Sequence, residues 1–114
     1  MIAAASDSLW NGGAACGTTY TITCVGGTND TPNPCNGGAS ISVKIVDRCP
    51  SPGCQATLDL SQEAFAAIGN LDAGKILINY NQYARATRAL HHIFFPCSVF
   101  TRGCFLFNFF LTHQ

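Results

Sequence analysis

The chain has 114 residues, of which 47% are hydrophobic and only 11% are charged, and its six Lys/Arg balance six Asp/Glu. This length fits one domain. The charge balance excludes a protein that binds nucleic acid mainly by neutralising phosphates. The apolar content excludes disorder for most of the chain. With 11 Gly and 5 Pro, the composition favours short strands joined by tight turns over a helical bundle.

Seven cysteines in so short a chain indicate an oxidising compartment, and the odd number leaves at least one thiol over. Residues 1–7 lack the basic region and the long apolar core of a signal peptide, so we expect that a signal was removed or that the true N-terminus is missing. No stretch of the sequence approaches the ~20 apolar residues that a membrane-spanning helix needs.

The composition changes near residue 82, which divides the chain into two unlike parts. Residues 1–82 carry all six acids against three bases, a net charge of −3, whereas residues 83–114 carry three Arg and no acid. The second part also holds all three His and seven of the eight Phe. A basic, aromatic binding arm is one interpretation. We favour a tail foreign to the domain before it, because residues 104–111 have the uncharged, β-prone pattern of an aggregating segment.

The first 82 residues predict a compact β-barrel with one covering helix. Residues 18–24 alternate and are rich in β-branched side chains, residues 40–47 place Ile41, Val43, Ile45 and Asp47 on one side, and residues 75–80 form a third strand. Residues 26–38 form a long loop and residues 48–54 a tight turn. Residues 57–60 form a short strand that leads to Ser61, the predicted N-cap of a helix with Glu63 in its first turn.

Disulfides fit the cysteine spacings better than metal ligands do. No pair has the C-x₂-C form and residues 1–82 contain no His, so we expect neither a metal site nor a cofactor. Cys49 and Cys54 enclose a Pro-Ser-Pro-Gly turn that can bring their Cα atoms within bridging range. Cys24 and Cys35 flank the long loop, and Cys16 is left as the odd cysteine.

Carboxylates are the main catalytic candidates, because the first 82 residues contain no His to serve as a base. Asp47 ends the best strand and Asp59 precedes the helix, so both could stand at a barrel rim as the acid pair of a glycoside hydrolase. The structural alternatives are pairing of Asp47 with Arg48 or Lys44, and capping of the turn by Asp59. We rate each structural role above the catalytic one.

Two further features concern ligands and modification. Trp10, Tyr20 and Tyr80 are candidate sugar-binding aromatics, although packing in the core is the favoured role for Tyr20. Asn29-Asp30-Thr31 matches the acceptor pattern for N-glycosylation, which is consistent with secretion.

Three ordered motifs carry a family resemblance. They are Ala-Cys-Gly-Thr-Thr-Tyr at residues 15–20, Val-Lys-Ile-Val-Asp-Arg-Cys-Pro at residues 43–50, and Thr-Leu-Asp-Leu-Ser-Gln-Glu-Ala-Phe at residues 57–65. Residues 2–82 resemble the plant expansin-like proteins with a family 45 endoglucanase-like domain, closest to the plant natriuretic peptide-like branch. The resemblance implies a barwin-like, six-stranded double-psi β-barrel, a monomer secreted to the apoplast and cell wall.

The resemblance also implies roles for particular residues. Asp59 matches the aspartate of the expansin His-Phe-Asp-Leu-Ser motif, the general acid of the related endoglucanases, and Thr57 stands where that motif has His. The chain starts after the family's first strand, so we expect a barrel short of one strand, no second carboxylate, and an unpaired Cys16. We therefore expect a non-hydrolytic protein that binds wall polysaccharide or a cell-surface receptor, with water and ion homeostasis signalling or wall modulation as its role. An endoglucanase-type hydrolase of wall glucans is the alternative. We also expect this form of the chain to fold poorly.

Overall fold

The computed structural model describes residues 1–83 and the backbone of residues 109–113. The strands, in chain order, are β1 (Ile2–Ser6), β2 (Thr19–Gly27), β3 (Ser40–Cys49), β4 (Leu58–Ser61), β5 (Lys75–Gln82) and β6 (Phe109–His113). The helices are α1 (Asp7–Trp10) and α2 (Gln62–Ile68), with 3-10 turns at Asn11–Gly13 and Leu71–Ala73.

The six strands form a closed barrel in the order β1-β3-β2-β5-β6-β4. β2 lies antiparallel between β3 and β5, and β1 lies between β3, to which it is parallel, and β4, to which it is antiparallel. β6 closes the barrel because it pairs antiparallel with β4 and parallel with β5. The predicted mainly-β barrel is confirmed.

Local sequence explains most of these elements. β3 and β5 contain two of the predicted strands and extend each by two residues, whereas β2 begins one residue later than predicted and runs on to Gly27, into the predicted loop. α2 begins where Ser61 accepts a hydrogen bond on its side-chain oxygen from the Ala64 N–H at 3.4 Å. It ends at Gly69, whose N–H donates to the Phe65 carbonyl at 2.8 Å. A Cβ on Gly69 would lie 3.0 Å from Ile76 Cδ1, so this glycine permits close packing of α2 on the barrel.

The barrel interior is apolar and closely filled. Its largest side chains with less than 2% exposure come from the four barrel strands β2, β3, β4 and β5 and from α2: Phe65, Ile22, Ile45, Leu58, Leu60, Ile68, Ile76, Ile78 and Val43. Burial of this set is the main source of stability, because each such side chain contributes about 1.5–3 kcal/mol when removed from water.

The expected gap in the barrel is not present, so that expectation is wrong. β1 begins at the second residue of the chain, and β6 comes from the part of the chain that follows the composition break. The sequence hid β1 because Ala3, Ala4 and Ala5 are all buried, which leaves no alternation of polar and apolar residues. β6 has the high β-propensity that suggested aggregation, and in the fold its backbone pairs with the strand edges of β4 and β5.

The predicted boundary near residue 82 coincides with the end of β5. Since residues 109–113 form a barrel strand, the second part of the chain contributes to the same fold. The basic, Phe-rich character predicted for the tail falls mostly on residues 84–108 and 114, which lie outside the described residues.

Two disulfides join the cysteines that the sequence paired. Cys24–Cys35 has a Cα separation of 5.5 Å and fixes the long loop to β2, and Cys49–Cys54 has a separation of 5.2 Å and closes the turn after β3. Cys16 is also disulfide-bonded, so the expectation of an orphan is wrong. That expectation considered only a partner upstream of the chain, although the sequence has two more cysteines after residue 83.

Candidate functional site

Asp47 and Asp59 lie in one row across three neighbouring strands. In the register of the sheet, Ala4 of β1 is opposite Asp47 of β3 on one side and opposite Asp59 of β4 on the other. Residues that are directly opposite each other project from the same face of a sheet. The two acids therefore share one face, with the small side chain of Ala4 between them.

This face is the outside of the barrel. The neighbouring row consists of Ile45, Ala3 and Leu60, all with 0% exposure, so it points into the core. Successive residues of a strand point to opposite faces, and the Asp47–Ala4–Asp59 row therefore points outward. We call this row the acidic row.

A β-bulge brings Asp47 into the acidic row. Ala3 and Ala4 are consecutive in β1, but their partners Ile45 and Asp47 are separated by Val46, so β3 has one extra residue here. Simple alternation had placed Asp47 on the same side as the buried Val43 and Ile45, and that assignment is corrected. Asp47 and Val46 are both exposed.

Asp59 has the most unusual environment among the described acids. Its Oδ1 is buried and has no hydrogen-bond partner within the described part of the chain. Loss of contact with water disfavours the charged form, and burial raises the pKa of Asp59 from 3.8 to about 7. At mildly acidic pH this side chain is a neutral carboxylic acid, which can donate as well as accept a hydrogen bond.

Asp47 is not held by the side chains proposed for it. Its Oδ1 accepts a hydrogen bond from the backbone N–H of Arg48 at 2.7 Å, while the Arg48 guanidinium donates to Asp7 Oδ1 at 2.6 Å. The other oxygen of Asp7 accepts from the Ser51 N–H at 3.2 Å. The hydrogen bond from Arg48, followed by the one from Ser51, lowers the pKa of Asp7. The Asp7 carboxylate therefore ties the start of α1 to the end of β3 through Arg48 and to the turn after β3 through Ser51.

The spacing of the acidic row bears on hydrolysis. Neighbouring strands lie about 4.8 Å apart, so Cα atoms two strands apart are about 10 Å apart. Inverting glycosidases hold their carboxyl groups about 6.5–9.5 Å apart, and retaining ones about 5–5.5 Å apart. On the outer, convex face of a barrel, side chains diverge, so the Asp47 and Asp59 carboxyl groups tend towards the upper end of this range or beyond it.

The other residues predicted for the site are distributed unevenly. Thr57 lies directly before β4, two residues before Asp59, and its carbonyl accepts a hydrogen bond from the Ser6 N–H at 3.0 Å. Trp10 is half-buried at the end of α1 and packs against the core. Tyr20 is only 7% exposed and its ring lies 6.0 Å from that of half-buried Tyr80. Tyr20 is thus a core residue and offers no surface for a sugar ring.

Two features near the two acids were not predicted from the sequence. Ala4 separates the two acids, and the Arg48–Asp7 pair joins residues that are 41 positions apart. The sequence suggested Arg48 only as a partner of Asp47, and nothing in the sequence pointed to Asp7 as the partner of Arg48. Asp59 was found because it stands in the most specific motif.

The described residues contain no group of three or more His, Cys, Asp or Glu that could hold a metal ion. Within the same residues, no helix is long and apolar enough to cross a membrane.

Comparison with protein-family models identifies the family to which this barrel belongs. A family model named DPBB_1, with the description "Lytic transglycolase", matches residues 2–80. The chain belongs to this family. The match covers β1 to β4 and residues 75–80 of β5, and it includes the whole acidic row.

Curated relatives agree with the resemblance seen in the sequence. The chain is 61% identical over 83 residues to an EG45-like domain containing protein of Citrus jambhiri, an alignment that covers 72% of this chain and 62% of the relative. It is 59% identical over 80 residues to the putative EG45-like domain containing protein 1 of Arabidopsis thaliana, with 70% and 63% covered. Expansin-B4 of Arabidopsis thaliana is 35% identical over 104 residues, with 82% and 38% covered.

The matched region thus spans about three fifths of the length of the EG45-like relatives. The predicted resemblance to expansin-like and endoglucanase-like domain proteins is confirmed. No solved structure matches the chain.

Proposed function

We propose that this protein is a secreted, non-hydrolytic, expansin-like protein that binds polysaccharide of the plant cell wall through the acidic row. The observation that carries the proposal is the buried Oδ1 of Asp59, which has no hydrogen-bond partner among the described residues. A buried polar atom without a partner costs about 1–3 kcal/mol. Because the Asp59 side chain as a whole is only half-buried, a sugar hydroxyl group that approached its exposed part and supplied the missing partner would recover part of that cost.

The protonation state of Asp59 suits a neutral polyhydroxylated ligand. With a pKa of about 7, Asp59 is uncharged in a mildly acidic wall and offers both a donor and an acceptor to hydroxyl groups. Thr57, which lies directly before β4 and two residues before Asp59, is half-buried and carries a hydroxyl close to Asp59 in the chain. Asp47 adds an exposed acceptor two strands away.

The absence of hydrolysis is proposed from the geometry of the same row. Hydrolysis needs a second carboxylate that activates water or attacks the sugar within the distances given above. Asp47 is exposed on a convex surface, two strands from Asp59. This arrangement suits binding along a chain better than in-line attack at one bond.

Secretion to the apoplast is proposed from the cysteines and the relatives. Cys24–Cys35 and Cys49–Cys54 are bonded and Cys16 is bonded as well, a pattern typical of proteins from oxidising compartments. The resemblance to an expansin supports the wall as the place of action.

Retention on wall polymers tests the binding proposal. The full chain, Asp59→Ala and the control Asp72→Asn would be compared on insoluble cellulose and by affinity electrophoresis in xyloglucan at pH 5. Asp72 is an exposed acid on the 3-10 turn Leu71–Ala73, so its change removes a charge without touching the acidic row. We expect retention of the wild type and the control and loss of retention for Asp59→Ala. Equal retention of all three, or none on either polymer, would contradict the proposal.

Two other functions are distinguished from wall binding by experiment. If no wall polymer retains the folded wild type, binding to a cell-surface receptor, as in natriuretic peptide-like signalling, becomes the better interpretation. A glycoside hydrolase is favoured by one observation, namely that Asp47 and Asp59 share a row and a face. Release of reducing sugar from soluble glucans, abolished by Asp59→Asn and by Asp47→Asn, would support the hydrolase.

A further inference from the structure

The loop that follows β2 contains an acceptor triplet whose first residue is already used by the fold. Asn29-Asp30-Thr31 is the one N-x-Ser/Thr triplet in the 114 residues. Asn29 and Asp30 are exposed, and Thr31 is half-buried. The triplet lies two residues after the end of β2, on the loop that Cys24–Cys35 fixes to the barrel.

The side-chain amide of Asn29 makes two hydrogen bonds. Its Oδ1 accepts from the Thr31 N–H at 3.0 Å, which shapes the turn. Its Nδ2 donates to the Ala73 carbonyl at 2.9 Å, which ties the loop to a residue 44 positions away. The neighbouring Thr28 hydroxyl donates to the Lys75 carbonyl at 3.0 Å. The nitrogen that would carry a glycan therefore holds the loop against the 3-10 turn that precedes β5.

We propose that Asn29 is an N-glycosylation site and that the sugar is added before this loop docks on Ala73. The inference rests on the secretion part of the proposed function and is independent of polysaccharide binding. In the reaction, Nδ2 attacks the anomeric carbon of a lipid-linked oligosaccharide pyrophosphate. A C–N bond forms, the C–O bond to the pyrophosphate breaks, and one amide proton leaves.

The order of events follows from the hydrogen bond to Ala73. A primary amide has two N–H donors, and glycosylation replaces only one of them. The remaining N–H can donate to Ala73 after the chain folds, and the exposed position of Asn29 leaves room for the glycan in solvent. In the folded, unmodified protein the same nitrogen is occupied by Ala73, so the folded loop is a poor acceptor.

Expression with a supplied secretion route tests the site. The 114-residue chain, placed behind a cleavable leader, would be secreted from a eukaryotic host and treated with a peptide N-glycosidase, with mass spectrometry to locate a conversion of Asn29 to Asp. Thr31→Ala removes the acceptor pattern but keeps the hydrogen bond from the Asn29 amide to Ala73. Thr31→Ser keeps the acceptor pattern as well as this hydrogen bond. We expect glycan on most wild-type and Thr31→Ser chains and on no Thr31→Ala chains, with all three secreted.

Wild-type protein that is secreted and folded but carries no glycan would overturn the proposal. The added leader takes the chain through the secretory pathway, so a missing glycan could not be explained by a lack of secretion. Asn29→Gln serves as a second variant, which loses the glycan and alters the tie to Ala73 together. The order of addition is tested by offering unmodified protein to microsomal membranes, either folded with its disulfides or reduced and unfolded. We expect modification of the unfolded chain only, and equal modification of both forms would refute the order.

Discussion

Asp59→Asn replaces a half-buried carboxylic acid by an amide of nearly the same shape that cannot ionise. In the wild type, desolvation raises the pKa of Asp59 to about 7, against 3.8 for an ordinary aspartate. Below pH 3.8 both the folded and the unfolded chain are protonated at this site. Between pH 3.8 and pH 7, Asp59 loses its proton in the unfolded chain but keeps it in the folded chain. Stability that is fully present below pH 3.8 is therefore lost as the pH rises through 7.

The size of the effect follows from the two pKa values. At 1.36 kcal/mol per pH unit, the full difference corresponds to about 4 kcal/mol. Because the side chain is only partly buried and solvent screens its charge, we halve this value and expect about 2 kcal/mol. Relative to the wild type, Asp59→Asn should therefore gain about 2 kcal/mol in the free energy of unfolding between pH 4 and pH 8.

Urea unfolding with intact disulfides measures this difference. The wild type, Asp59→Asn and the control Asp47→Asn would be unfolded at pH 4, 5, 6, 7 and 8. Asp47→Asn makes the same chemical change on the exposed acid of the same row, so it separates the effect of the buried position from the effect of replacing a carboxyl group by an amide. A free-energy difference between Asp59→Asn and the wild type that is constant from pH 4 to 8 would refute the assignment of a raised pKa to Asp59.

Three further predictions concern the fold. Gly69→Ala should lower the free energy of unfolding by about 1–3 kcal/mol, because the added Cβ would lie 3.0 Å from Ile76 Cδ1. The control Gly26→Ala should lower it much less, because the nearest atom to its Cβ lies at 3.7 Å. Equal losses for the two variants in urea unfolding would argue against close packing at Gly69. Replacing both Cys24 and Cys35 by Ser should cost about 2–3 kcal/mol by opening a short loop, and an unchanged thermal midpoint would contradict this. Stopping the chain before β6 leaves the edges of β4 and β5 unpaired, so gel filtration should detect association; a monomer that melts as sharply as the full chain would show that β6 is dispensable.

The elements with strong local signals were predicted from sequence. These elements are the alternating strands β2, β3 and β5 and the Ser61 cap of α2. Each depends on neighbours within a few residues, so the local amino-acid sequence specifies it. Asp59 also followed from local sequence, because it precedes the predicted helix and stands in the motif at residues 57–65.

Tertiary structure decided the features that depend on distant residues. The bulge at Val46 moves Asp47 to the outer face because β1 pairs with both sides of it, and no residue near Val46 signals that pairing. Arg48 pairs with Asp7 across 41 positions, and β6 joins β4 and β5 across the composition break. The sequence by itself determined the barrel class and the identity of the acids. The relative position of the acids was set by strand register, which is a property of neighbouring strands and is not encoded in any one segment.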